Sequence, residues 1–110
     1  MDGLCAMVPR RLSVMMSRKG VSARERLVLD ALLHKGIGDD GEVGVAQNGY
    51  VMSAADVSGY LDGGVSPDAA RHAMASLRRR GFLVPSRKKR VGNGWVTVHR
   101  LSDDVLEYVG

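Results

Sequence analysis

The sequence predicts an α+β domain made of three helices, a C-terminal β-hairpin and a short final helix. Three observations point to it. Ser-x-x-acid patterns precede two apolar segments at helical spacing. Ser66-Pro67 opens a third helix, and apolar and polar residues alternate along Trp95-Val96-Thr97-Val98-His99 behind a Gly92-Asn93-Gly94 tip.

The first twenty residues carry no clean period. Val8 to Met16 reads as a short extended lead-in, ended by Arg18-Lys19-Gly20. Ser22-Ala23-Arg24-Glu25 then matches a capping box, and Leu27, Val28, Ala31 and Leu32 form an apolar stripe, so a first helix is expected from Ser22 to His34. Gly36 to Gly49 contains five glycines and reads as an exposed, flexible loop; Tyr50-Val51-Met52 reads as a short strand. Ser53-Ala54-Ala55-Asp56 opens a second helix, with Val57, Tyr60 and Leu61 on its buried side and Asp62-Gly63-Gly64 ending it. Ser66 caps the third helix and Pro67 takes its first position, where the missing N–H costs nothing. It runs to Arg80, with Gly81 as the left-handed cap. Two short helices joined by a glycine-containing turn form a helix-turn-helix arrangement. Phe82-Leu83-Val84 starts a strand, Arg87 to Gly94 reads as a basic turn, and the alternating return strand completes the hairpin. Ser102 caps a last helix over 103–109, whose Asp103 and Asp104 suit its positive end.

Composition excludes several classes. At 110 residues with 45% hydrophobic and 25% charged content, one ordinary domain is expected. The boundaries are an N-terminal extension over 1–20, the domain proper over 21–101 and the C-terminal helix over 102–110. A single Trp and a single Phe demand an aliphatic core, in which Trp95 is expected to pack its strand onto the domain. No apolar run approaches the roughly 20 residues that cross a bilayer, the charge order near the N-terminus is wrong for a signal peptide, and a cytoplasmic location is expected. Cys5 has no partner for an intrachain disulfide. His34, His72 and His99 lack metal-ligand spacing, no phosphate loop is present, and Asp39-Asp40-Gly41-Glu42 lacks the alternating ligands of a calcium loop, so neither an enzyme, a metal nor a cofactor is expected. That acidic stretch reads as solvated.

Charge is distributed unevenly. Residues 1–64 hold seven Lys/Arg against eight Asp/Glu, 65–101 hold nine against one, and 102–110 hold three acids and no base. The positive potential is thus concentrated on the third helix and the hairpin, the footprint of a polyanion-binding face.

The stretch Val65-Ser66-Pro67-Asp68-Ala69-Ala70-Arg71-His72-Ala73-Met74-Ala75-Ser76-Leu77-Arg78-Arg79-Arg80-Gly81-Phe82-Leu83-Val84, a capped polar start, a basic cluster, a glycine and an apolar strand, resembles the winged helix-turn-helix DNA-binding family. The opening of the first helix is similar to small plasmid and phage proteins of high-GC bacteria. The resemblance spans about residues 21–101 and implies a three-helix core, a hairpin wing and binding to double-stranded DNA.

On the third helix, Ala70, Ala73, Met74 and Leu77 share the core face. At about 100° per residue, the outward face carries Asp68, Arg71 at its edge, His72, Ala75, Ser76 and Arg79, and the acid either accepts from cytosine N4 or suits the positive end of the helix. Arg71 and Arg79 can each offer paired donors to guanine, and the small residues Ala75 and Ser76 allow close approach to base edges. With the third helix in the major groove, Ser66 at its start and the flanking Arg78 and Arg80 are expected phosphate contacts, with ion pairing as the alternative for the two arginines, while the run Arg87, Lys88, Lys89 and Arg90 is expected to reach along the backbone or into the minor groove. The expected role is a sequence-specific transcriptional regulator, such as a repressor, acting as a homodimer through Met15 and Met16 or through Val105, Leu106 and Tyr108. A plasmid or phage replication or partition protein, and a winged-helix module that binds an acidic protein, are the alternatives. No membrane partner and no small-molecule ligand are expected.

Overall fold

The computed structural model describes residues 10–38, 40–46 and 48–109, with side chains over 14–107. Its helices are α1 (Arg10–Arg18), α2 (Ala23–His34), α3 (Ala54–Tyr60), α4 (Pro67–Arg79) and α5 (Asp103–Val109), and its strands are β1 (Glu42–Val43), β2 (Leu83–Val91) and β3 (Gly94–Leu101). The strands form one antiparallel sheet in the order β1-β3-β2, giving a compact α+β domain.

Helix starts follow from local chemistry. Both capping boxes form: Ser22 and Glu25 cap α2 reciprocally, and Ser53 and Asp56 do the same for α3. Ser66 accepts from the Ala69 N–H at the head of α4, with Pro67 just inside, and Gly81 takes φ 82° immediately after the Arg80 cap. Ala70, Ala73 and Leu77 of α4 are buried together with Phe82, Leu83, Leu101 and the α2 residues Val28, Leu29 and Leu32. The core is aliphatic apart from Phe82. Full burial of a Leu or Phe of this kind stabilises by about 1.5–3 kcal/mol.

The expected lead-in is helical instead. Its described part, from Arg10, forms α1, because Met16 finds a fully buried site and α1 packs against α5. Val8, Pro9 and Cys5 lie outside the described residues. Met16 and Val105 are completely buried in this chain's own core, which removes both from the surfaces expected to pair two copies; the side chain of Tyr108 is outside the described set. On α2 the stripe is shifted: Leu29 is buried, while Leu27 is 47% exposed. On α3, Tyr60 is exposed and lies against the His34 ring, with centroids 4.7 Å apart.

The glycine-rich segment is not a free loop. Gly41, Glu42, Val43 and Gly44 are buried, and the strand lies at Glu42–Val43 rather than at 50–52, where Val51 makes one isolated bridge to Val45. Gly44, at φ 72°, comes close enough to Leu32 that a Cβ there would lie 2.8 Å from a Leu32 methyl. Glycine at 44 therefore serves close approach as much as turning. Asp39 and Gln47 are outside the described residues.

Candidate functional site

Helix α4 divides its polar residues by angle. His72 and Arg79 are exposed on the side away from the core; Arg71 and Arg78 occupy the flank toward the hairpin; Ser76 and Arg80 occupy the opposite flank, toward α2. Arg71 is paired with Asp68 one turn back. Both side chains are well exposed, so the pair is weak and readily exchanged for another anion.

Arg80 has a structural post. Its guanidinium donates to the Lys19 carbonyl at 2.8 Å and to Ser76 Oγ at 3.3 Å, and lies 3.5 Å from Glu25. Burial works against ionising Glu25, but bonds from Ser76 and Ser22 and the charge of Arg80 outweigh it and hold the carboxyl below its usual range. Ser76 is half-buried in this cluster rather than on the outward face, because its position on the wheel points to α2.

The hairpin sorts the basic run by alternation. The Arg87–Arg90 segment lies within strand β2, not in a turn, and pairs Arg87 with Val98, Lys88 with Thr97, Lys89 with Val96 and Arg90 with Trp95. The turn itself is only Gly92-Asn93, with Gly92 at φ 60°, as a two-residue hairpin loop requires. Directly opposed residues share a face, so Lys88 and Arg90 stand with Thr97 and Trp95, while Arg87 and Lys89 stand on the reverse. On that reverse face Arg87 donates twice to the buried Glu42 carboxylate, and Lys89 donates to the Gly49 carbonyl. Arg87 and Ser86 hold the Glu42 carboxyl below the usual range against the opposing effect of burial. The acidic stretch expected to be solvated thus contributes a buried anchor.

Between α4, the start of α3 and the inner face of β3 lies an open groove of about 430 Å³. Arg71, Met74 and Arg78 line one wall, Trp95, Thr97 and His99 the other, and no carboxylate is among its described lining residues. Burial, and then the neighbouring Arg78 charge, push the His99 pKa down to about 4, so the ring is neutral at pH 7. Its Nε2 is 3.4 Å from the Arg78 guanidinium and accepts from it. Trp95 was expected in the core; it is 65% exposed, with the Arg90 guanidinium 6.0 Å from its ring centroid. Trp95 lines the open groove instead of entering the core.

The structure therefore brings Arg71 and Arg78 into the groove wall, sets Lys88 and Arg90 on the same face of the hairpin as the groove residues Thr97 and Trp95, and leaves His72, Ala75 and Arg79 on the adjoining side of α4. It sends Arg80, Arg87 and Lys89 elsewhere, and Ser66 is occupied as a cap. Arg79 and Lys88 have no hydrogen-bond or ion-pair partner among the described residues. Sequence reasoning missed Trp95 and His99 as groove residues; the only signal was that alternation puts both on one face. Among the described residues no group of three His, Cys, Asp or Glu side chains could hold a metal ion, and no helix is long and apolar enough to cross a membrane. No protein-family model matches the chain, and no curated protein or solved structure matches it.

Proposed function

We propose that this chain is a winged helix-turn-helix protein that binds double-stranded DNA and regulates transcription. The observation that carries the reading is that Arg71 and Arg78 line a groove with no carboxylate among its described lining residues, while Lys88 and Arg90 stand on the same face of the hairpin as its Thr97 and Trp95, leaving Asp68, paired with Arg71, as the acid beside them. A solubilising surface disperses its cations and intersperses acids; a phosphate-binding one does not. The order α2, β1, α3, α4, β2, β3 supports the fold part of the proposal, since it sets a helix-turn-helix ahead of a hairpin in one sheet.

In this reading α4 enters the major groove and presents Arg71, His72, Ala75 and Arg79 to base edges. Arg71 exchanges Asp68 for a guanine edge or a phosphate. Arg78, Lys88 and Arg90 hold the phosphodiester strand that passes between helix and hairpin. Arg80 and Arg87 contribute to folding rather than to contact. Two copies on a two-fold site supply the footprint that one small module lacks.

The test is an anisotropy titration with random-sequence duplex at low and physiological salt. Binding that weakens steeply with salt supports the reading; no binding at low salt overturns it.

A further inference from the structure

Trp95 is the chain's one tryptophan, and it stands 65% exposed with Arg90 near its ring and Arg71 and Arg78 lining the same groove. A large flat ring left in water forfeits the burial that usually places tryptophan in a core, and nothing on its strand compels it there. Its surroundings are specific. Arg90 is its cross-strand partner, with the guanidinium over the ring at 6.0 Å. Arg71 and Arg78 line the opposite wall of the same groove, and Gly94, next to Trp95 in the chain, adds no side chain beside it.

An aromatic face flanked by guanidinium groups is the arrangement that stacks a nucleobase while its phosphates are held by the cations. The apolar ring alone fits many partners; the ring and these charges together fit a polyanion with π faces. We infer that Trp95, backed by Arg90, is a nucleobase-stacking platform, and that the protein prefers duplex DNA in which one base is already unstacked beneath the hairpin. The preference has a plain origin. Extracting a base from an intact stack costs free energy, and a bulged base has already lost that stacking, so more of the new stacking appears as affinity. This inference rests on the DNA-binding reading above.

The lone tryptophan makes the test direct. The full-length protein is titrated with a perfect duplex and with the same duplex carrying a single-base bulge, following anisotropy of labelled DNA and intrinsic tryptophan emission separately. The bulged duplex is expected to bind about tenfold more tightly, within the range that stacking on one base supplies, and to quench the emission more deeply than the perfect duplex. Trp95→Phe keeps most of the preference. Trp95→Leu, which retains apolar bulk without a π face, and Trp95→Ala both lose it. Binding without any change in emission overturns the inference while leaving the DNA reading intact, as does a bulge preference that survives in Trp95→Leu or equal affinity for the two duplexes. Absence of any anisotropy change at low salt overturns the DNA reading, and this inference with it.

Discussion

The guanidinium of Arg87 closes on the buried carboxylate of Glu42 through two donors, at 2.9 and 3.0 Å, and so ties the outer strand β2 to the short strand β1 across β3. Ser86 adds a hydroxyl donor at 2.8 Å to the same carboxylate. Removing the arginine leaves a buried carboxylate short of its charge partner, which costs more than the pair itself contributes. Arg87→Ala is therefore expected to lower Tm by several degrees at pH 7 and to leave the salt slope of DNA binding unchanged. The pH dependence follows from Glu42, whose folded-state pKa lies below its usual value. Its stabilising contribution is present above about pH 4.5 and lost as pH falls through the folded value. Thermal melts at pH 7 and pH 3 should show the gap between wild type and Arg87→Ala closing in acid; a gap of the same size at both pH values would argue against an ion-pair origin.

Much of this fold is legible in the sequence because its starts are local chemistry. Ser22, Ser53 and Ser66 each satisfy backbone donors within three residues, and such signals need no tertiary information. What was not legible depends on long-range fit. Val8 to Met16 reads as irregular because the burial of Met16 is decided by tertiary packing, including α5 at the far end of the chain. The strand at Glu42–Val43 is hidden by glycines that serve close packing against Leu32 and by a glutamate whose partners lie some forty-five residues away. For the site, composition located the basic segment, but the division of its cations hangs on a register shift between Pro85 and Arg87. Pro85 pairs with His99 on the groove face; the extra residue, Ser86, puts Arg87 opposite Val98 on the reverse. Without that bulge, Arg87 and Lys89 would face the groove and Lys88 and Arg90 would not.

The bulge makes a sharp prediction about neighbouring lysines. Lys88→Ala removes a groove-face cation and should flatten the log–log salt slope of duplex binding by about 0.9, the value for one phosphate contact. Lys89→Ala removes a side chain bound to the Gly49 carbonyl and should leave the slope nearly unchanged. Affinities across a salt series with one random-sequence duplex measure both. Equal slopes for the two variants would mean that the faces of the hairpin do not divide the work.

His99 predicts an acid sensitivity that starts at unusually mild pH. Its folded-state pKa is about 4, against an ordinary 6.5, because burial and the Arg78 charge both disfavour the protonated ring. The unfolded chain then binds a proton that the folded chain refuses. Stability is full above about pH 6.5 and declines as pH falls toward 4, by up to about 3 kcal/mol if the whole shift is realised. Glu25 and Glu42 have lowered carboxyl pKa values and act only below about 4.5, and the raised carboxyl of Asp30 changes stability with the opposite sign, so a decline between pH 6.5 and 5 points to the histidine. Denaturant titrations in that interval should show a slope in wild type that His99→Gln abolishes. A slope that persists in the variant assigns the sensitivity to another group.

Asp30 on α2 carries the opposite sign. Its Oδ1 is buried without a hydrogen-bond partner among the described residues, and burial raises its pKa despite the nearby charge of Arg26. A raised carboxyl binds its proton more tightly in the folded state, so the stability associated with it is complete below about 3.8 and is lost as pH rises through the folded value. At pH 7 the ionised group weighs against folding. Asp30→Asn keeps the shape and removes the charge, and should raise stability at pH 7 by less than about 1 kcal/mol, since solvent reaches the rest of the carboxyl. At pH 3 the gain should vanish or reverse, because the wild-type carboxyl is then neutral as well. Paired melts of wild type and variant at the two pH values decide it. Destabilisation at pH 7 would mean that the charge of Asp30 is used in the folded state, and that its unpartnered oxygen is not a net cost.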